Sequence, residues 1–102
     1  IDEAQNLVSN GAAEIVSNST VTDNAWVHLA VTRNSAGLIN LWVDGTKQTS
    51  ERTTATFTDY SNILRIGDEN QAGADNKWLG YMDEIRISKG IQRWTADFTV
   101  YP

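Results

Sequence analysis

A chain of 102 residues, 40% hydrophobic and 21% charged, has room for one domain and the composition of an ordinary globular fold. Its net charge of −5 disfavours nucleic acid and anionic membrane surfaces as partners, and no apolar run approaches the roughly 20 residues a membrane-spanning helix needs. Cysteine is absent, which excludes disulfide staples and thiolate metal sites without fixing a compartment.

The N-terminal stretch carries short apolar pieces (Leu7, Val8; Ala13, Ile15, Val16; Val21) separated by Ser, Asn and Gly. They predict two weak strands joined at Asn10-Gly11, a favoured turn dipeptide. Residues 26–45, WVHLAVTRNSAGLINLWVDG, are the most informative stretch. Val27, Leu29 and Val31 alternate with Trp26, His28, Ala30 and Thr32, as a half-buried strand requires. Ile39, Leu41 and Val43 repeat the pattern against Asn40, Trp42 and Asp44. Asp44-Gly45 suits a two-residue turn, because both positions tolerate positive φ. Thr-rich residues 46–57 predict a third strand. Residues 63–66 predict another, ended by Gly67. A polar loop occupies 68–77, and residues 79–88 predict the last strand. Residues 91–98 read as one helical turn or an irregular tail that packs Trp94 and Phe98. Short strands at regular spacing, with no long amphipathic helix, indicate an all-β antiparallel sandwich or barrel.

Three of these segments together resemble the laminin G-like, concanavalin A-like lectin/glucanase family in its bacterial or phage version. They are WVHLAVTR…LINLWVDG, LRIG at 64–67, and GYMDEIRISKGIQRWTADFT at 80–99. The resemblance implies a jelly-roll β-sandwich, read here as a single laminin G-like domain over 1–102. Full domains of that family are longer at the N-terminus, so the chain resembles the C-terminal part of the module.

That reading has a physical consequence. Val27, Leu29, Val31, Ile39, Leu41 and Val43 form one aliphatic face. Burying six such side chains is worth roughly 10–18 kcal/mol, against a whole-domain stability of about 5–15 kcal/mol. The face must be covered. Either the N-terminal segment gives a reduced sandwich, or another copy of the chain completes it. Self-association is expected to contribute, giving a homo-oligomer.

Trp26, His28 and Trp42 share the opposite face if the hairpin register is simple. Exposed Trp offers a flat apolar platform with a polar N–H, suited to a sugar ring or a protein. The three are therefore the candidate ligand-binding residues. The plainer alternative places the tryptophans in the core or a subunit interface and makes His28 structural. His28 is the only histidine, and no nucleophile or acid is aligned with it in the sequence. Asp83-Glu84 does not form a hydrolase pair, because adjacent carboxylates on a strand point to opposite faces. Glu84 and Arg86 are expected to form a same-face structural pair. Asn18-Ser19-Thr20 is a glycosylation sequon of a kind that arises easily by chance.

The acidic loop begins like a calcium loop, but Ala72 and Leu79 stand where an EF-hand needs ligands. Some relatives of the fold bind calcium in rim loops, which makes Asp68 and Asp75 the metal candidates. No cofactor is required, and calcium is the one metal entertained. The chain is expected to be a non-enzymatic recognition module for glycan or protein. The resemblance implies a cell-surface, adhesion or phage-tail setting, outside the cell or on a virion. A structural domain whose aromatic sheet face is a subunit interface is the alternative; a glycoside hydrolase is disfavoured. If Asp68 and Asp75 hold calcium, millimolar calcium raises the melting temperature and a chelator reverses the rise. An unchanged thermal melt removes the site.

Overall fold

The computed structural model describes residues 15–53, 64–67 and 78–101. They fall in two compact units, one of Ile1–Phe57 with Lys89–Pro102 and one of Thr58–Ser88. In the first, β1 (Leu29–Arg33), β2 (Leu38–Val43) and β3 (Thr46–Thr53) form one antiparallel sheet in the order β1-β2-β3. The described residues contain no helix, and the architecture is all-β, as the alternating pattern predicts.

Two turns set the register. Asn34 closes the first: its Oδ1 accepts the Leu38 N–H, its own N–H donates to the Leu38 carbonyl, and Gly37 sits at φ 87°. The second is Asp44-Gly45, with φ 47° and 80° between the facing residues Val43 and Thr46. Positive φ at both central positions matches the right-handed twist of the strands. This turn behaves as its sequence predicts.

Facing pairs Leu29–Val43, Val31–Leu41 and Arg33–Ile39 put the aliphatic side chains on one face of the sheet. Ala30–Trp42 and Thr32–Asn40 lie on the other. The β2–β3 register breaks between Asn40 and Trp42. Trp42 faces Lys47 and Asn40 faces Glu51, so Gln48, Thr49 and Ser50 bulge opposite Leu41 alone. Because the excess on β3 is even, side chains keep their faces beyond the bulge.

The bulge exposes polar groups that the ladder does not satisfy, and the N-terminal segment takes them up. Asn18 Oδ1 accepts the Thr49 N–H and hydroxyl, the Asn18 N–H donates to Gln48 Oε1, and the Val16 N–H donates to Ser50 Oγ. This docking carries Ile15 onto Leu41, and both are buried. Val21, Ile39 and Val43 pack around them. The N-terminal segment thus supplies cover for the aliphatic face, and the described residues contain no second sheet. The cover stops short of β1, where Val31 is 68% exposed.

Some predicted elements differ. β1 starts at Leu29 rather than at 26 or 27, although His28 continues the pairing by donating its N–H to the Asp44 carboxylate and accepting the Asp44 N–H. β3 ends at Thr53, and 54–57 lie outside the described residues, as does the predicted Asn10-Gly11 turn. Residues 64–67 and 78–88 form no strand. In this second unit the Trp78 N–H donates to the Gly67 carbonyl, and the Met82 side chain lies over Gly67. Alternation fails at Glu84, whose φ is 53°. A strand also needs a bonded neighbour, and Leu79, Tyr81 and Ile87 are all exposed. The expected Glu84–Arg86 pair is not formed. Glu84 instead donates its N–H to Asp83 Oδ1.

Gly45 and Gly90 share nearly the same φ, 80° and 81°, but differ in surroundings. A Cβ on Gly45 would run into the Phe98 carbonyl oxygen, whereas one on Gly90 would meet open space. Gly90→Ala should cost only the left-handed strain, about 1–2 kcal/mol. Gly45→Ala should cost clearly more, at least about 3 kcal/mol with the steric displacement added. Urea unfolding midpoints of the two variants compare the costs; equal losses would contradict the packing.

Candidate functional site

The sheet's second face is built around Trp42, which is fully buried at 0% exposure. Its indole Nε1–H donates to Thr32 Oγ1 on the adjacent strand at 2.9 Å. A buried indole donor needs such a partner, and a buried hydroxyl gains one in the same bond. Phe98 lies on Trp42 with ring centroids 5.8 Å apart, and Trp94 stacks on Phe98 at 4.2 Å. His28 meets both tail rings edge-on, at 5.9 Å from Trp94 and 5.6 Å from Phe98. The C-terminal tail therefore seals the aromatic face.

Two hydrogen bonds fix the tail beside the tight turn, one between backbone groups and one through the Asp97 carboxylate. The Phe98 N–H donates to the Gly45 carbonyl, and Asp97 Oδ1 accepts the Lys47 N–H. These bonds hold Phe98 where its ring meets both Trp42 and His28. The tail is irregular and packs Trp94 and Phe98, one of the two forms its sequence allows. Beside it, Glu51 Oε2 accepts from Asn40 Nδ2 and from Lys47 Nζ, both at 3.1 Å. The Lys47–Glu51 pair is partly exposed, which limits it to a small contribution.

The three candidate ligand-binding residues thus occupy different environments. His28 and Trp42 come together through Phe98, and Trp42 offers no surface to a ligand. Trp26 is 70% exposed just before β1. It follows the Asp23-Asn24 turn, where Asn24 has φ 58° and residues 22–26 are all exposed. The His28 ring is half-buried, and its Nδ1 is buried without a hydrogen-bond partner. An imidazole that acts as general base needs a second group to orient it, and none bonds Nδ1 here. The ring's contacts are with aromatic edges and faces, which is a packing role.

Carboxylates give no paired acid and nucleophile within the described residues. Asp83 and Glu84 are both exposed, and Asp83 is turned back onto the Glu84 amide. Asp68 and Asp75 lie outside the described residues. Among the described residues no three His, Asp or Glu side chains gather as metal ligands would.

Residues 4–92 match the family model described as the concanavalin A-like lectin/glucanases superfamily, of laminin G type. The chain belongs to this superfamily. Comparison with curated proteins and with solved structures found no match. The match takes in the N-terminal docking segment and the whole sheet of this concanavalin A-like chain. It ends before Trp94, Asp97 and Phe98, which seal Trp42. The superfamily's description joins lectins to glucanases, so membership alone spans binding and hydrolysis.

Sequence reasoning had no means of finding Asp97. Its partner Lys47 is 50 residues away, and no local pattern links them. Asn18 was visible as part of a sequon, but its bonds to Thr49 depend on a bulge that alternation does not announce.

Phe98→Ala should uncover Trp42. The expected loss is about 2–3 kcal/mol, below the ~3–5 kcal/mol of a fully buried Phe because Phe98 is only half-buried. Hydrogen exchange of the Trp42 indole proton, read by NMR, should accelerate in that variant. An indole proton that stays equally protected would show that the tail is not its cover.

Proposed function

We propose that this concanavalin A-like chain is a non-enzymatic recognition module that binds glycan against the face of Trp26. The observation that carries the reading is the contrast between two tryptophans. Trp42 is sealed with its donor satisfied, whereas Trp26 stands 70% exposed beside the Asp23-Asn24 turn. An exposed indole is a flat apolar surface for the C–H face of a sugar ring. The Asn24 side-chain amide supplies donors and an acceptor for hydroxyl groups at the edge of such a ring. An apolar wall with a few oriented polar groups is the usual chemistry of a small-ligand site.

Membership of a superfamily that includes lectins supports this reading. The absence of enzymatic activity is part of the proposal. Its support is the exposed, adjacent Asp83-Glu84, which lacks the separation across one glycosidic bond that both hydrolytic mechanisms use. The version of the structural alternative in which a subunit covers the aromatic face is less well supported, since the chain's own Phe98 and Trp94 occupy that face. A recognition role fits a protein displayed outside a cell or on a virion, where glycans are met.

A glycan array should return a ligand, and titration calorimetry should then give its affinity. Trp26→Ala should weaken binding about 10- to 100-fold, the worth of one lost aromatic contact surface, with an unchanged melting temperature. Retained affinity in that variant, or release of reducing sugar from the bound glycan, overturns the proposal.

A further inference from the structure

Asp44-Gly45 closes the β2–β3 hairpin because both residues accept positive φ, 47° and 80°. The same pair can react with itself. The nitrogen of the residue after an aspartate can attack the side-chain carboxyl carbon and close a five-membered ring. Glycine favours that attack, since it has no side chain to crowd the nitrogen and its backbone turns freely in an open chain. Asp or Asn stands directly before glycine twice in the sequence, at Asn10-Gly11 and at Asp44-Gly45. Asn10-Gly11 lies outside the described residues. Asp44-Gly45 sits in the hairpin, with bonds on both sides of it.

The folded turn keeps the reacting atoms apart. In the mirror image of a type I turn the first central residue has ψ of about +30°. For an L residue this turns Cβ nearly opposite the next nitrogen, whereas ring closure needs the two eclipsed about the Cα–C bond. Asp44 is pinned against that rotation on its own side. Its N–H donates to the His28 carbonyl at 2.9 Å, and its Oδ1 accepts the His28 N–H at 2.8 Å. Gly45 is pinned on the other side by the C-terminal tail. Its carbonyl accepts the Phe98 N–H at 2.9 Å, and the Phe98 carbonyl lies against its Cα, where a Cβ would stand. Swinging the Gly45 nitrogen toward the carboxyl carbon would break the first of these contacts and drive Gly45 against the second. The tail therefore restrains the attacking nitrogen, and His28 restrains the group attacked.

We propose that Asp44-Gly45 is a latent covalent modification site, an isomerisation to isoaspartate that the folded turn blocks and that release of the tail from Gly45 permits. In the first step the Gly45 nitrogen bonds to Asp44 Cγ. The nitrogen's proton and the hydroxyl of the carboxyl group leave as one water. In the second step one water adds back at the former backbone carbonyl, and the ring opens with Gly45 joined through the side chain. No oxidant, reductant or enzyme is consumed, and the product is an isomer of the chain. Its backbone is one methylene longer between residues 44 and 45, so the two-residue turn no longer fits. The hairpin, the His28 clamp and the seat of the tail all use that turn. One event therefore disables all three, and its extent records the time the tail has spent open. The inference stands on the turn and is independent of glycan binding at Trp26.

The test holds the full chain for several weeks in warm neutral buffer, either folded or in denaturing urea. Peptide mapping by mass spectrometry reads isoaspartate at Asp44 and separates it from any change at Asn10-Gly11. Isoaspartate should accumulate in urea. In the folded chain it should form at least about 100-fold more slowly, because a reaction confined to open molecules scales with their population. In water enriched in heavy oxygen the product should carry a heavy oxygen atom, the mark of ring hydrolysis. Phe98→Ala should raise the folded-state rate about tenfold or more and leave the rate in urea unchanged. Asp97→Ala, which removes the tail's other bond and no ring, should raise it in the same direction. Circular dichroism at the incubation temperature checks that each variant is folded, and Asp97→Ala carries the test if Phe98→Ala is not. Equal rates in the folded and unfolded chain overturn the proposal, as does an Asp44 that stays unmodified in urea. Folded-state rates that neither tail variant changes overturn it too, because the tail would then not be what keeps the site closed.

Discussion

The tight turn at Asp44-Gly45 is the constraint on which the first unit depends. Its left-handed pair of residues fixes the β2–β3 hairpin, and its polar groups then serve three further contacts. The Asp44 carboxylate holds the His28 N–H, which brings the His28 ring beside the turn. The Gly45 carbonyl takes the Phe98 N–H, and the next amide, at Lys47, bonds Asp97. Gly45 is needed twice, once for its φ and once because the Phe98 carbonyl occupies the space a Cβ would fill. A residue chosen for backbone freedom in a hairpin is also the seat of the tail. Strain and docking are therefore coupled at one position, and the tail cannot be displaced without loosening the turn's surroundings.

The two faces of the sheet solve their covering problem by different chemistry. On the aliphatic face the N-terminal segment is held by hydrogen bonds to a bulge, and those bonds place Ile15 on Leu41. On the aromatic face the tail is held by one backbone bond and one through the Asp97 carboxylate, and ring stacking supplies the apolar contact. In both cases polar bonds set position while apolar contact supplies most of the stabilisation, since a net hydrogen bond is worth only about 1 kcal/mol. The division explains why irregular segments suffice as covers. They need not form a ladder of their own when β3's bulge and the turn offer unsatisfied groups at the right height.

The hairpin was legible because every part of it is written locally. Alternation gave the faces of β1 and β2, and Asp44-Gly45 gave the turn type. What escaped were contacts between distant segments and the breaks in regularity. The bulge at Gln48, Thr49 and Ser50 keeps its polar pattern whether or not those residues pair, so nothing in the sequence marks it. Residues 79–88 alternate well enough to read as a strand, but alternation cannot reveal a left-handed Glu84. The candidate site was half legible. Parity put His28 and Trp42 on one face, but Trp26 lies before the paired strand, and parity says nothing about what lies above a face. Trp94 and Phe98 were read as packing residues, and their target, Trp42, depends on a tail bond across 50 residues.

The separation of Trp26 from Trp42 bears on how such a small sheet could both fold and carry the proposed recognition. A buried indole is valuable to stability because its large apolar surface and its donor are both satisfied within the chain, as Trp42 is by Phe98 and Thr32. The same satisfaction removes it from any ligand. Trp26 makes the opposite trade: its exposed surface contributes little to folding and stays available for contact. Its position matters as much as its exposure. It lies two residues before His28, whose backbone is clamped to Asp44 and whose ring is braced by Trp94 and Phe98. The braced His28 anchors the chain two residues from Trp26, so less conformational entropy would be lost if a ligand settled on the indole as proposed. If Trp26 binds as proposed, the sealed aromatic cluster would act on recognition through rigidity, without touching the ligand.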